Sequence, residues 1–148
     1  MLATTTFIAV FATTVFAGAA LYINLVEHPA RMSCSTELAA TVWAPSYQRA
    51  RMMQAPLAVI GGLAGLVTWW LDRSWPWLIA ATLILAVVPF TLIVIMRTNQ
   101  QLLAPDRDLA SLETRALLTR WARLHAVRTM MSLVASGVMI GEVVGSRV

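Results

Sequence analysis

FIAVFATTVFAGAALYINLVEHPARM (residues 7–32) opens with an almost wholly apolar run, Phe7–Val26, and closes on an amide, a carboxylate, an imidazole and a proline. No side chain before Glu27 is charged. At about 1.5 Å of rise per residue, some 20 helical residues cover the roughly 30 Å hydrocarbon core of a bilayer. The stretch therefore reads as a membrane helix. Its end reads as more than an anchor, because a plain arginine or lysine in the headgroups would serve for that.

Three further segments repeat the pattern: Met52–Leu71, Trp75–Met96 and about 124–145. The last reaches full length only by taking in His125 and Arg128, since its charge-free run, Thr129–Gly141, has 13 residues. Backbone groups in lipid must be satisfied internally, and these segments are too continuously apolar for barrel strands. Composition agrees: the 148 residues are 59% hydrophobic and 12% charged, with mean hydropathy +0.72. The chain reads as all-α, one domain over residues 1–148. It is an antiparallel bundle of four transmembrane helices at about 5–27, 47–71, 75–98 and 121–145, with an amphipathic helical segment before the fourth. The start, MLATTTF, lacks the positive charge of a secretory signal, and the apolar run after it is longer than a usual signal core, so the first helix is expected to stay uncleaved.

All eleven basic residues are arginine. Nine of them (31, 49, 51, 97, 107, 115, 120, 123 and 128) flank the first-to-second and third-to-fourth connections, against Arg73 and Arg147 on the other side. Their place beside apolar spans points to topology rather than nucleic acid. The positive-inside bias makes this a multi-pass cell-membrane protein with cytoplasmic long loops and both termini outside. Arg31, Arg49 and Arg123 read as headgroup anchors. The single cysteine, Cys34, is expected to be a half-buried small residue without redox work.

Along the chain, the pattern predicts a loop from Glu27 to about Pro45, a tight turn at Asp72-Arg73-Ser74, and a second loop from about 97 to 119. Ser46 would N-cap the second helix, Pro29 would stop the first, and Pro56 and Pro89 would kink their spans. Trp69, Trp70, Trp75 and Trp77 gather at the tight turn, where tryptophan marks a headgroup boundary. The segment PDRDLASLETRALLTRW would lie along the membrane or run directly into the fourth span. Gly61 and Gly65 form a small-residue pair, and Gly137, Gly141 and Gly145 a stripe, both suited to close helix approach. The stripe is read first as serving the bundle, with homo-oligomerisation as the other use.

The polar residues then fall at one end. Asn24, Glu27 and His28 share a face of the first helix, as do Tyr47, Arg51 and Gln54 on the second. Asn99 ends the third; Trp121, His125 and Arg128 share a face of the fourth; Trp43 stands one turn before Tyr47. Ionisable groups in a span are costly and normally face inward, paired with one another. A polar pocket follows, with Glu27–Arg128 or Glu27–Arg51 as a bundle-holding ion pair in the plainer reading. His28 or His125 would act as a general base, with Arg128, Asn24 or Gln54 holding a developing oxyanion. Trp43, Tyr47, Arg51, Gln54, Asn99 and Trp121 would bind an apolar, aromatic substrate from the bilayer. His28, His125 and Glu27 are also the right types to ligate iron, copper or zinc, though no HxxxH or ExxH spacing is present. A bis-histidine haem is a further variant.

The pattern GAALYINLVEHPAR (18–31), then W-x3-Y-x3-R-x2-Q from Trp43 to Gln54, Asn99-Gln100, and RWARLHAVR (120–128) resembles the anthrone oxygenase-like family of small membrane proteins. The resemblance runs over nearly the whole chain. It implies a four-helix membrane bundle and, as in characterised fungal members, oxygenation of an anthrone to an anthraquinone during polyketide tailoring. The family's polar positions map to Asn24, His28, Trp43, Tyr47, Arg51, Gln54, Asn99, Trp121, His125 and Arg128. The leading expectation is thus a membrane oxidoreductase, either cofactor-free or metal-dependent. The alternatives are a non-catalytic membrane subunit or a lipid- or haem-binding scaffold. A transporter is weaker still, for want of an inverted repeat.

Overall fold

The computed structural model describes residues 1–145; Arg147 lies outside them. Four helices carry the chain: Leu2–Met32, Thr36–Asp72, Trp75–Leu102 and Leu112–Gly145, each long and apolar enough to cross a membrane. Each packs against its neighbours in sequence, and the fourth closes the bundle against the first. The fold is an all-α four-helix bundle.

At one end the second and third helices meet in the expected tight turn. Arg73 adopts a left-handed conformation (φ 60°, ψ 13°) and its N–H donates to the Trp69 carbonyl at 2.7 Å. Its guanidinium lies 4.0 Å over the Trp70 ring. Trp70 and Trp75 are exposed there, but Trp77 is buried in the core with Phe16, Ile84 and Met139 and is no interfacial anchor.

At the opposite end the expected long loops are largely helix. Pro29 does not stop the first helix, which runs on to Met32 through a π-helical turn, Ile23–Glu27. A proline ring crowds the carbonyl four residues back, here that of Leu25. Widening the helix just ahead of it relieves the clash without ending the helix. Only residues 33–35 then separate the first two helices. Ser35, not Ser46, caps the second, its Oγ accepting from Leu38 N at 3.3 Å. The helix passes through Pro45 and Pro56. Likewise the third helix continues beyond Pro89 through a second π turn, Thr91–Ile95, to Leu102. The amphipathic segment runs directly into the fourth span as one helix from Leu112. Arg115 of that helix donates to the carbonyls of Met32 (2.6 Å) and Cys34 (3.1 Å), tying the first connection to it. Cys34 itself is exposed, not half-buried.

The glycines divide sharply. A Cβ on Gly61 would sit 2.6 Å from Thr13 Oγ1 and 3.2 Å from Thr13 N, so the first two helices touch there; on Gly65 it would meet Ala81 and Met139 at 3.0 Å. Gly137, Gly141 and Gly145 have nothing within 4 Å, so the stripe faces outward and does not serve the bundle. Gly61→Val is therefore expected to lower the melting temperature in detergent by several degrees, through overpacking of about 1–3 kcal/mol. Gly141→Val should leave it within a degree or so by the same measurement.

Candidate functional site

Helix continuity at the π-bearing end decides where the polar side chains go. Carrying the first helix past Pro29 puts Glu27 and Arg31 one turn apart, and they form an ion pair, with the Ser46 hydroxyl also donating to the Glu27 carboxylate. Arg31 is 7% exposed, so it is not a headgroup anchor, whereas Arg49 and Arg123 are exposed. Glu27 thus pairs with neither Arg128 nor Arg51. The i, i+4 spacing of Glu27 and Arg31 was the signal for this pair, hidden by reading Pro29 as a terminator.

Between the second, third and fourth helices and the first π turn lies a cavity of about 340 Å³, within the range of roughly 300–1,000 Å³ usual for small-molecule sites. Both π turns contribute to its wall, through Ile23 and Glu27 and through Thr91, Leu92 and Ile95. Of the expected site residues, Glu27, Tyr47, Arg51, Gln54, Asn99, Trp121, His125 and Arg128 line it. Asn24, His28 and Trp43 do not. Met52 (73% exposed) and Leu92 (58%) also line it, so the cavity opens sideways between the second and third helices at a surface lipid can reach.

Behind the wall, aromatic rings hold the polar end together. Trp43 stacks on Tyr47 at 5.1 Å and meets Trp121 edge-on at 5.7 Å. Trp121 in turn lies 5.2 Å from the His28 ring and 4.8 Å from His125. Inside, Asn99 Nδ2 donates to the Tyr47 hydroxyl at 3.0 Å, and Arg128 Nη2 donates to Gln54 Oε1 at 2.7 Å. Gln54 Nε2, Asn99 Oδ1 and Arg128 Nε are buried without a hydrogen-bond partner. Buried polar atoms are nearly always paired, so these three leave the residues around the cavity with hydrogen-bonding capacity that water or a small molecule can take up.

The two imidazoles have different settings. Asn24 Nδ2 donates to the Ala122 carbonyl (3.3 Å), which orients the amide so that Oδ1 faces His125 Nδ1 at 2.6 Å. An amide oxygen only accepts, so His125 carries its proton on Nδ1 and leaves the Nε2 lone pair free. Among the described residues Nε2 makes no hydrogen bond. Thr129, a residue the sequence pattern did not single out, donates to the same Asn24 oxygen at 2.6 Å. His28 is buried behind Trp121, and neither ring nitrogen makes a hydrogen bond of normal geometry, although the backbone of Leu118 interacts with the ring.

These placements do not suit the metal reading. Among the described residues no three His, Cys, Asp or Glu side chains converge as a ligand set. Glu27 is held by Arg31 and Ser46, and His125 Nδ1 by Asn24. For a bis-histidine haem, the macrocycle would have to take the space the Trp121 indole fills against both rings.

Comparison with known proteins agrees with the geometry in part. The anthrone oxygenase tpcL of Aspergillus fumigatus is 42% identical over 64 residues, 41% of this chain and 40% of its own length. The chain therefore matches well under half of that relative. No solved structure matches. A family profile described as anthrone oxygenase matches residues 43–138, which leaves the Asn24–Arg31 stretch outside it but takes in Tyr47, Gln54, Asn99, His125 and Arg128. With well over half of its length inside that profile, the chain belongs to the anthrone oxygenase family.

Proposed function

We infer that this protein is a membrane oxygenase whose cavity takes a planar aromatic substrate from the bilayer and oxidises an acidic C–H of it. Family membership supports an oxygenase-like function in general; the substrate and the residue roles are this reading's own. The observation that carries it is His125, which lines the cavity with Nδ1 committed to Asn24. A base needs one free lone pair within reach of the proton it takes, held in a fixed tautomer.

For an anthrone-type substrate the chemistry closes with O2 as the oxidant. His125 Nε2 accepts a proton from the methylene opposite the ketone, and the charge spreads to the ketone oxygen, which Arg128 and Gln54 hold as an oxyanion. The carbanion carbon gives one electron to O2, the carbon radical and superoxide combine as a peroxide anion, and protonated His125 returns its proton to give the hydroperoxide. Loss of water then leaves a second ketone: anthrone plus O2 gives anthraquinone plus water. Glu27 and Arg31 shape the wall, and Asn24 is a positioning residue.

Depth fits such a substrate. Counting back about 20 residues from the tryptophan turn along the second helix reaches about Arg51, where the far edge of a 30 Å hydrocarbon layer falls. The cavity, lined from Ser46 to Ala58 on this helix, straddles that edge. An apolar ring system would arrive through the Met52–Leu92 opening with its oxygens at headgroup level. By the positive-inside bias this is the cytoplasmic side, and the termini face outward.

The test uses purified protein in lipid nanodiscs with 1,8-dihydroxyanthrone. Oxygen uptake matched one-to-one by quinone formation, well above autoxidation in protein-free nanodiscs, is expected. No acceleration over that control sinks the reading.

A further inference from the structure

Water loss from a hydroperoxide needs a base and an acid at the same moment. The carbon bearing the peroxide must lose its remaining proton while the O–O bond breaks, and the outgoing hydroxide must gain one. His125, having returned its first proton, is the base again and does not serve as the acid in the same step.

Three side-chain hydroxyls line the cavity, those of Ser46, Tyr47 and Thr91. Ser46 donates its proton to Glu27, and Thr91 donates to the Val87 carbonyl at 2.7 Å. Tyr47 differs. Its oxygen accepts from Asn99 Nδ2 at 3.0 Å, and among the described residues its own proton goes to no acceptor. The charged groups of the wall are no substitute, since a guanidinium keeps its protons and Glu27 is a carboxylate held by Arg31. A phenol keeps its proton in neutral water yet gives it up readily to hydroxide.

Tyr47 is also held in place for such a transfer. Its ring stacks on the buried Trp43 at 5.1 Å, 5° from parallel. The buried Asn99 fixes the hydroxyl from one side. Arg128 interacts electrostatically with both Tyr47 and His125, which ties acid and base to the same part of the cavity. Negative charge left on the phenol oxygen is met by the Asn99 N–H and by that guanidinium.

Resting on the oxygenase reading, we propose that Tyr47 is the proton donor that completes quinone formation from the hydroperoxide. His125 Nε2 takes the last hydrogen of the peroxide-bearing carbon as a proton, and the C–H electron pair becomes the second bond of the new ketone. The O–O pair leaves on the outer oxygen, which takes the Tyr47 proton and departs as water. Tyrosinate then recovers a proton from protonated His125 through that water, and both groups are restored. Carbon is oxidised and the peroxide oxygen reduced, with no other electron donor or acceptor.

Protein in nanodiscs, in excess over 1,8-dihydroxyanthrone, is followed through a single turnover by oxygen uptake, hydroperoxide and quinone. In the wild type, quinone is expected to keep pace with oxygen uptake. Tyr47→Phe keeps the ring against Trp43 and removes only the hydroxyl. It should slow the quinone-forming step by about 10²- to 10⁴-fold, so that hydroperoxide accumulates as oxygen is consumed. His125→Ala, by contrast, slows oxygen uptake itself. Quinone keeping pace with oxygen in Tyr47→Phe overturns the proposal and leaves the oxygenase reading intact. A second arm needs no variant. Under argon, wild-type nanodiscs should convert separately prepared hydroperoxide to quinone faster than protein-free nanodiscs, and equal rates also overturn the proposal. If the wild type does not accelerate oxygen uptake, the oxygenase reading falls and the proposal with it.

Discussion

His125→Ala is expected to slow oxygen-dependent turnover by about 10²- to 10⁴-fold, the usual contribution of a positioned general base. The protein should remain folded, because Asn24 keeps its bonds to Thr129 and to the Ala122 carbonyl when the ring is gone. KM should change little, since the base acts in the transition state and leaves ground-state binding to the walls. Added imidazole should restore part of the rate in His125→Gly, a result that a merely structural histidine would not produce. Asn24→Leu should lower kcat as well, with KM unmoved, because both tautomers of His125 then become available and the ring loses its anchor. Turnover of His125→Ala within a factor of about three of wild type would remove this residue from the chemistry. His28 offers an internal contrast. Buried behind Trp121, it should affect stability when replaced and leave kcat of the surviving protein nearly unchanged.

The second large effect concerns stability. Glu27→Ala should destabilise the bundle by about 3 kcal/mol, because it strands the Arg31 guanidinium, whose side chain is 4% exposed, with no other ion-pair partner among the described residues. Replacing both partners, Glu27→Leu with Arg31→Leu, should cost markedly less than the single change, since no charge is then left without its mate. Denaturant titration in detergent micelles, followed by circular dichroism, measures both. A double variant as unstable as the single one would show that the pair's hydrogen bonds to Ser46 and the surrounding packing matter more than its charge balance.

Much of the architecture was legible before any coordinates. Four long apolar stretches and a three-residue turn leave a four-helix hairpin arrangement as the simplest packing, and that is what forms. What hydropathy could not register is helix that continues where the lipid stops. Residues 36–46 contain Glu37 and Pro45 and fail any span criterion, yet Ala39, Ala40 and Trp43 bury one face of a continuing helix. The candidate site was legible as a set of residue types at one end, because the first, second and fourth helices deliver them at i, i+3 or i+4 spacing and the third ends there with Asn99. Their pairing was not. It depends on helical phase past Pro29, and a proline read as a stop resets that phase. For this reason Arg31 reads as a headgroup anchor, Ser46 as a cap and Glu27 as the partner of Arg128 or Arg51, whereas the three meet one another; Thr129 is a separate case, a threonine one turn beyond His125 that nothing in its residue type marks. The outward glycine stripe teaches the same lesson from the other side. Spacing shows that a face is smooth, and only coordinates show what it meets.

The two π turns give the chain slack in length where a helix normally has none. Each holds one residue more than an α-helix of the same rise would use. Removing the half-exposed Val26 takes out that surplus, so the first helix can relax to ordinary geometry with the segments on either side close to their original phase. The regular stretch Leu2–Tyr22 has no such reserve. A single-codon loss there would rotate Asn24, Glu27 and Arg31 by about 100° against Ala9, Ala12 and Phe16, and the two halves of the helix could no longer both meet their partners.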